Sequence, residues 1–105
     1  MLRTDYRENL SKYTSSVSDA ALRSIISFCG IALRGRDSQF VSMTDEAEIM
    51  RIVKGFAAKK LGIDEAGTRA GLKSIHQKML EEKSKMRTTV YYLLAEATGT
   101  LGRLT

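Results

Sequence analysis

The chain has no proline, one histidine and one cysteine among its 105 residues. Because proline is the strongest helix breaker, its absence favours an all-helical fold. The lone cysteine, Cys29, cannot form an internal disulfide, which is typical of proteins in a reducing cytoplasm. With His76 as the single histidine, a zinc or iron site built on several histidines is excluded.

Long apolar runs are also lacking. No stretch approaches the ~18 apolar residues of a membrane span, and the N-terminus opens no apolar run of the kind found in secretory signals. We therefore expect a cytoplasmic protein without a membrane partner. The length, with 43% apolar and 28% charged residues, predicts a single globular domain over residues 1–105. We expect this domain to be all-helical and frayed at residues 1–4 and 102–105, the latter at the end of a tail that has two glycines from Thr98 onward.

The segment from Met86 to Ala97 is predicted to be the central helix. At about 100° per residue, its larger apolar side chains fall on one side, and the opposite side is only weakly polar. A helix that is apolar nearly all round is normally enclosed by others. Residues 88–92 are rich in β-formers and are also compatible with a strand, but no partner strand or hairpin signal accompanies them.

Four further helices are predicted around this segment, at residues 6–13, 19–34, 44–62 and 64–82. The clearest covers residues 44–62, because carboxylates in its first turn and lysines in its last turn complement the helix dipole. Gly62 is expected to end that helix in a left-handed conformation. Residues 37–43 are interpreted as an apolar loop or at most one helical turn. The predicted fold is a compact all-α bundle of about five helices.

Glycines predict two places where helices approach closely. Gly67 and Gly71 lie four residues apart on one side of the fourth predicted helix, where another backbone can come near. Gly30, inside the second predicted helix, costs about 1 kcal/mol relative to alanine, which indicates a close crossing there as well. The inner face of the fourth helix is predicted to carry Leu72, Ile75, Met79 and Leu80.

The common catalytic signatures are missing. There is no phosphate-cradling glycine loop, no nucleophile elbow, no Cys-x-x-Cys and no His-Glu-x-x-His. We therefore predict that the protein is not an enzyme and holds no cofactor and no metal. An all-carboxylate metal site at Asp45, Glu46 and Glu48 stays open, although the helix dipole already explains these acids.

Three residue types remain as candidates for chemistry. His76, at the inner edge of its predicted helix, is either a general base or pH switch, or a boundary histidine bonded to a neighbour. Cys29 lies in an apolar stretch, which favours inert packing over redox sensing. For Tyr91 and Tyr92 we expect packed rings whose hydroxyls find partners at the edge, rather than ligand binding.

The net charge of +5 and the pI of about 9.6 are compatible with a nucleic-acid or acidic partner, although acids and bases are mixed along the chain. The basic residues nearest to a site are Arg34, Arg36, Lys83, Lys85 and Arg87, a candidate anion- or partner-binding patch. Lys85 and Arg87 fall at the N-terminus of the last helix, where the dipole disfavours cations. Such a misplaced charge indicates an anion or a buried carboxylate partner.

Several segments in a fixed order resemble a family of small bacterial proteins catalogued as a domain of unknown function, number 2853. The similarity spans residues 13–101 and is carried by Ile31-Ala-Leu-Arg, Arg36-Asp-Ser, Lys59-Lys-Leu-Gly, Lys83-Ser-Lys-Met-Arg and Val90-Tyr-Tyr-Leu-Leu. The resemblance implies a bacterial, all-helical, single-domain protein. It implies no activity and no catalytic residues.

Three hypotheses for function follow. The first is a non-enzymatic protein that binds a second copy or a protein partner, because apolar helix faces beyond what one small core can bury would form an interface. The second is nucleic-acid or anion binding through the basic patch, with affinity that falls steeply with salt. The third is a small enzyme that uses His76 with a nearby carboxylate.

Overall fold

The computed structural model describes residues 4–105, with side chains from Tyr6 onward. Its five α-helices are α1 (Thr4–Ser11), α2 (Asp19–Cys29), α3 (Glu46–Ile52), α4 (Glu65–Lys78) and α5 (Arg87–Ala97). There are also two short strands, β1 (Phe40–Val41) and β2 (Lys85–Met86). The remaining helical elements are 3₁₀ turns at Gly30–Arg34 and Leu101–Arg103 and a π-helical segment at Val53–Leu61. The all-α class and the number of helices are confirmed.

Helix α5 lies at the centre of the core, as predicted. Val90, Leu93 and Leu94 are buried, and so are Thr88, Thr89, Tyr91, Tyr92 and Ala95 on its other sides. Helices α1, α2 and α4 all contact it. The weakly polar side of the sequence pattern is therefore enclosed too, and a strand over residues 88–92 is excluded.

The strands β1 and β2 form an antiparallel pair that sequence analysis missed. Phe40 pairs with Met86 and Val41 with Lys85, and the amide of Arg87 donates to the carbonyl of Gln39 at 2.8 Å. Residues 37–43 were expected to be a loop or one helical turn, and this expectation is corrected. Two-residue strands carry too little periodicity to be read from sequence. Their effect is to fix the start of α5 against the segment that follows α2.

The predicted second helix is shorter than expected. Its α-helical part ends at Cys29, because Gly30 adopts φ 49°, and the chain continues as the 3₁₀ turn to Arg34. A Cβ on Gly30 would meet no atom within 4 Å, so the predicted close crossing does not occur there. The close approach predicted for the fourth helix does occur at Gly71, because a Cβ at this position would lie 2.7 Å from Cδ1 of Leu94 in α5.

The third predicted helix is continuous but not uniformly α-helical. It is α-helical to Ile52 and π-helical from Val53 to Leu61, and Gly62 ends it with φ 68°, as predicted. Its buried residues, Ile52, Val53, Phe56, Ala57 and Leu61, recur more widely than every 3.6 residues. The wider helical turn keeps all of them on the core side.

Two expectations about exposure are corrected. Leu80 was placed on the inner face of α4, but α4 ends at Lys78 and the Leu80 side chain is 61% exposed. Residues 102–105 were expected to fray, yet Leu104 is buried and its carbonyl accepts a 2.6 Å hydrogen bond from the hydroxyl of Ser24. The expectation for residues 1–4 falls mostly on residues 1–3, outside the described part.

Candidate binding pocket

A pocket of about 370 Å³ lies between the C-terminal end of α2 and the helix formed by α3 and the π-helical segment, with α5 at its base. We call it the Arg87 pocket. It is lined by Phe28, Cys29, Ala32, Ser38, Arg51, Gly55, Phe56, Arg87 and Tyr91. Its volume falls in the range of sites that hold small molecules.

The π-helical segment supplies one wall of this pocket. π-Helical stretches are rare and are frequently found at functional sites. Here the segment places Phe56 against the core and leaves Gly55 at the pocket surface. A Cβ on Gly55 would meet no atom within 4 Å, so the lack of a side chain at this position keeps the pocket open.

Arg87 is the buried cation at the base of the pocket. Its Nε donates to the carbonyl of Ser38 at 2.7 Å, its Nη1 to the hydroxyl of Tyr91 at 2.9 Å, and its Nη2 to the carbonyl of Phe40 at 3.3 Å. Nη2 also lies 2.7 Å from Oε1 of Glu48, an ion pair without hydrogen-bond geometry. Burial opposes the charge, but Tyr91 and Glu48 outweigh it and raise the pKa of the guanidinium.

Glu48 is shared by two arginines. One carboxylate oxygen pairs with Arg87, and the other, Oε2, accepts from Nη1 of Arg51. The carboxylate is buried, whereas the Arg51 side chain is 68% exposed at the pocket rim. The buried carboxylate therefore joins the base of the pocket to its rim.

Aromatic rings form the apolar wall. The rings of Phe56 and Tyr91 are stacked, with centroids 4.3 Å apart, and Phe28 tilts against Phe56 at 5.5 Å. Phe28, on α2, is 37% exposed. The three rings thus run from the core to the surface along one side of the pocket.

The two other ionisable groups of the pocket remain neutral at physiological pH. Burial raises the pKa of the Cys29 thiol to about 12, against the opposing influence of Arg87. Burial also raises the pKa of the Tyr91 hydroxyl above its usual 10.0. Neither group can supply negative charge to balance the arginines.

The five residues of the predicted basic patch divide into two groups. Arg34, Arg36 and Lys83 are exposed, whereas Lys85 and Arg87 are buried. The ammonium of Lys85 donates to the carbonyl of Glu82 at 2.7 Å, and Arg87 has the partners described above. The misplaced charge of Arg87 thus has the buried carboxylate partner that the sequence indicated as one alternative.

Sequence reasoning missed other members of this site. Glu48 had a sufficient local explanation in the dipole of α3, and nothing in the sequence linked it to Arg87. Gly55 and Phe56 became pocket residues through the π-helical segment, for which the sequence carries one signal, the wide spacing of its apolar residues, and Arg51 joins them from the preceding helix α3. Tyr91 and Tyr92 have packed rings with bonded hydroxyls, as predicted.

His76 lies in a separate small pocket. This pocket of about 200 Å³ is lined by the apolar Met43, Ile49 and Leu72 and by two cations, Arg69 and Lys73. Nδ1 of His76 is buried and has no hydrogen-bond partner, so the bonded boundary histidine expected from sequence does not occur at this atom. Across the described residues, no three acidic, histidine or cysteine side chains cluster as metal ligands do.

These features define a small all-α protein with a buried arginine network beneath an aromatic pocket. None of the helices in residues 4–105 has the length and apolar character to cross a membrane. The chain belongs to the family described as a protein of unknown function (DUF2853), whose model matches residues 5–102, and the resemblance inferred from sequence is confirmed. No curated protein matches the chain.

Proposed function

We propose that this protein acts by binding rather than by catalysis, and that its partner is an acidic, amphipathic segment of another protein. The binding surface, which we call the Ile31 face, comprises Phe28, Ile31, Arg34 and Lys60. The observation that carries the proposal is the Ile31 side chain, which is 82% exposed. The lone cysteine and the family resemblance support a bacterial cytoplasmic setting.

Apolar exposure is concentrated on this face. The exposed large hydrophobic residues among the described side chains are Phe28, Ile31 and Leu80. Phe28 and Ile31 are three positions apart, whereas Leu80 follows the end of α4. Ile31 also borders a cleft of about 730 Å³ that Ile26 and Leu33 help to line. Exposed apolar side chains beside a cleft are favourable to bury under a partner.

Two cations, Lys60 and Arg34, lie beside the same apolar residues. The ammonium of Lys60 lies 5.8 Å from the ring centroid of Phe28, and Arg34 lines the cleft beside Ile31. Among the described side chains, neither of these cations, nor the exposed Arg36, forms a salt bridge. A partner with carboxylates beside its apolar residues complements this charge, and an amphipathic helix has that pattern.

Charge disfavours a second copy of the chain as the occupant. A symmetric dimer through this face would place Arg34 and Lys60 of both chains in one interface. Each chain also carries a net charge of +5. A partner that supplies negative charge avoids this repulsion.

The test uses a fluorescent synthetic helix of about 16 residues, with leucines on one face and glutamates on the other, and a companion peptide with lysines in place of the glutamates. Fluorescence anisotropy should show that the acidic peptide binds and the basic one does not. Ile31→Glu should weaken binding about tenfold or more, because it removes the central apolar contact and repels the peptide. Leu80→Glu is the matched control and should leave the affinity unchanged.

Equal affinity for the two peptides, no binding of either, or an unaltered Ile31→Glu variant would contradict the proposal. Light scattering over a range of concentrations should show a monomer. A dimer that Ile31→Glu dissociates would make the second copy the occupant and overturn the acidic partner.

A further inference from the structure

The charge of the Arg87 pocket is unbalanced. Its lining residues include two arginines and no carboxylate. Glu48, which pairs with both guanidiniums, supplies one negative charge for two positive ones. Cys29 and Tyr91 stay neutral because burial raises both of their pKa values. The arginines of the pocket therefore carry one positive charge more than Glu48 balances, and the surplus lies toward the rim, where Arg51 is 68% exposed.

Hydrogen-bond donors are also left over. A guanidinium has five N–H groups, and Arg87 uses three of them in hydrogen bonds to Ser38, Tyr91 and Phe40, which leaves two N–H groups without a hydrogen bond among the described residues. The hydroxyl of Tyr91 accepts from Arg87, and among the described residues no acceptor takes its own proton. These spare donors belong to Arg87 and Tyr91, which both line the pocket. An acceptor that carries negative charge would satisfy them.

The aromatic walls and the volume of the pocket determine the size and polarity of the uncharged part of the ligand. Phe28, Phe56 and Tyr91 present ring surfaces, and the volume of about 370 Å³ suits a compact molecule. We propose that the Arg87 pocket binds a small monocarboxylate with an aromatic or branched apolar body, its carboxylate directed to Arg51 and Arg87. This site borders the Ile31 face at Phe28, but Ile31, Arg34 and Lys60 do not line the pocket, so the two binding functions can be tested separately.

The experiment compares 3-phenylpropionate with its uncharged amide by isothermal titration calorimetry. The two probes share shape and apolar area and differ in charge. The carboxylate should bind with a Kd of about 4 mM or lower, the value expected for a ligand of its size. The amide should bind about tenfold more weakly, because it lacks the charge that the arginines complement.

Two variants test the location without removing the buried ion pair. Gly55→Leu should abolish binding, because its side chain would extend into open space in the pocket. Gly102→Leu is its matched control, since that glycine also has open space around it and lies outside the pocket. Arg51→Gln should weaken binding of the carboxylate about tenfold and leave the amide unaffected. Arg7→Gln, which removes another exposed, paired arginine, should change neither.

Three results would overturn the proposal: no saturable binding of 3-phenylpropionate up to about 10 mM, equal binding of the carboxylate and the amide, or unchanged binding in Gly55→Leu. Ile31→Glu should bind 3-phenylpropionate as the wild type does. Loss of the acidic peptide in that variant, with the carboxylate retained, would separate the two sites.

Discussion

Arg87, the first residue of α5, is paired with Glu48 of α3 across 39 positions of sequence, with Nη2 of the arginine 2.7 Å from Oε1 of the glutamate. Both side chains are buried. Taking two charges out of water is costly, and their attraction offsets this cost only while both partners are present. The pair therefore makes each residue dependent on the other.

Glu48→Ala is predicted to lower the free energy of unfolding by about 3–5 kcal/mol, because Arg87 would remain buried and charged without its carboxylate. Urea denaturation followed by circular dichroism measures the loss. Arg51→Ala is the control, because Arg51 pairs with the same carboxylate but is exposed. Its loss should lower the free energy of unfolding by about 1 kcal/mol or less. Equal losses in the two variants would show that burial does not decide the strength of this network.

Replacing both members of the buried pair removes both charges at once, which also tests whether Glu48 and Arg87 depend on each other. The double variant Glu48→Leu with Arg87→Met should be more stable than Glu48→Ala alone, because no unpaired charge stays inside. A double variant less stable than the single one would indicate that the hydrogen bonds of Arg87 to Ser38, Phe40 and Tyr91 dominate.

Arg87 also marks the limit of prediction from sequence. Its position at a helix N-terminus opposes the dipole, and this local conflict indicated an anion or a buried carboxylate partner, of which Glu48 is the second. The identity of the partner depends on tertiary packing, because Glu48 already satisfies a local rule at the start of α3. Periodicity could predict the enclosure of α5, whose apolar residues repeat over a whole helix. It could not predict β1 and β2, which are two residues long.

The backbone conformation of Gly30 was a second reason why the structure differs from the sequence prediction. Gly30 lies within an apolar pattern that continues to Leu33, so the pattern predicted a longer helix than the positive φ allows. Ile31 lies in the turn after this early end and is exposed. The side chain that carries the proposed function therefore lies where the sequence pattern failed.

Gly71→Ala is predicted to destabilise the protein although alanine is the better helix former. The new Cβ would lie 2.7 Å from Cδ1 of the fully buried Leu94, and overpacking costs about 1–3 kcal/mol, against a gain in helix propensity of about 1 kcal/mol. Gly55→Ala is the matched substitution, because its Cβ has open space and only the gain applies. Thermal denaturation should show a lower Tm for the first variant and a higher Tm for the second. The same direction of change in both would contradict the close contact between α4 and α5.

Tyr92→Phe is predicted to lower the free energy of unfolding by about 1–3 kcal/mol, because it leaves a part-buried backbone donor without a partner. The Tyr92 hydroxyl accepts from the amide of Ser18 at 2.8 Å and donates to the carbonyl of Ser16 at 3.3 Å. Amide hydrogen exchange gives a local readout: the Ser18 amide should exchange faster in the variant. The amide of Ala21, which donates to the Ser18 side chain, is the internal control and should keep its protection. Unchanged exchange at Ser18 would contradict this role for the hydroxyl.

The stability of the protein should fall at alkaline pH partly through Cys29. Burial raises the pKa of this thiol from 9.0 to about 12, so between these values the folded protein keeps a proton that the unfolded chain has lost. The contribution of the thiol is therefore complete below about pH 9 and is lost as the pH rises toward 12, at about 1.4 kcal/mol per unit. Urea denaturation of the wild type and Cys29→Ala at a series of pH values between about 8 and 10.5 isolates this slope, because other groups titrate equally in both. The wild type should lose stability more steeply than Cys29→Ala above pH 9, and parallel curves would mean that the thiol is not buried as described.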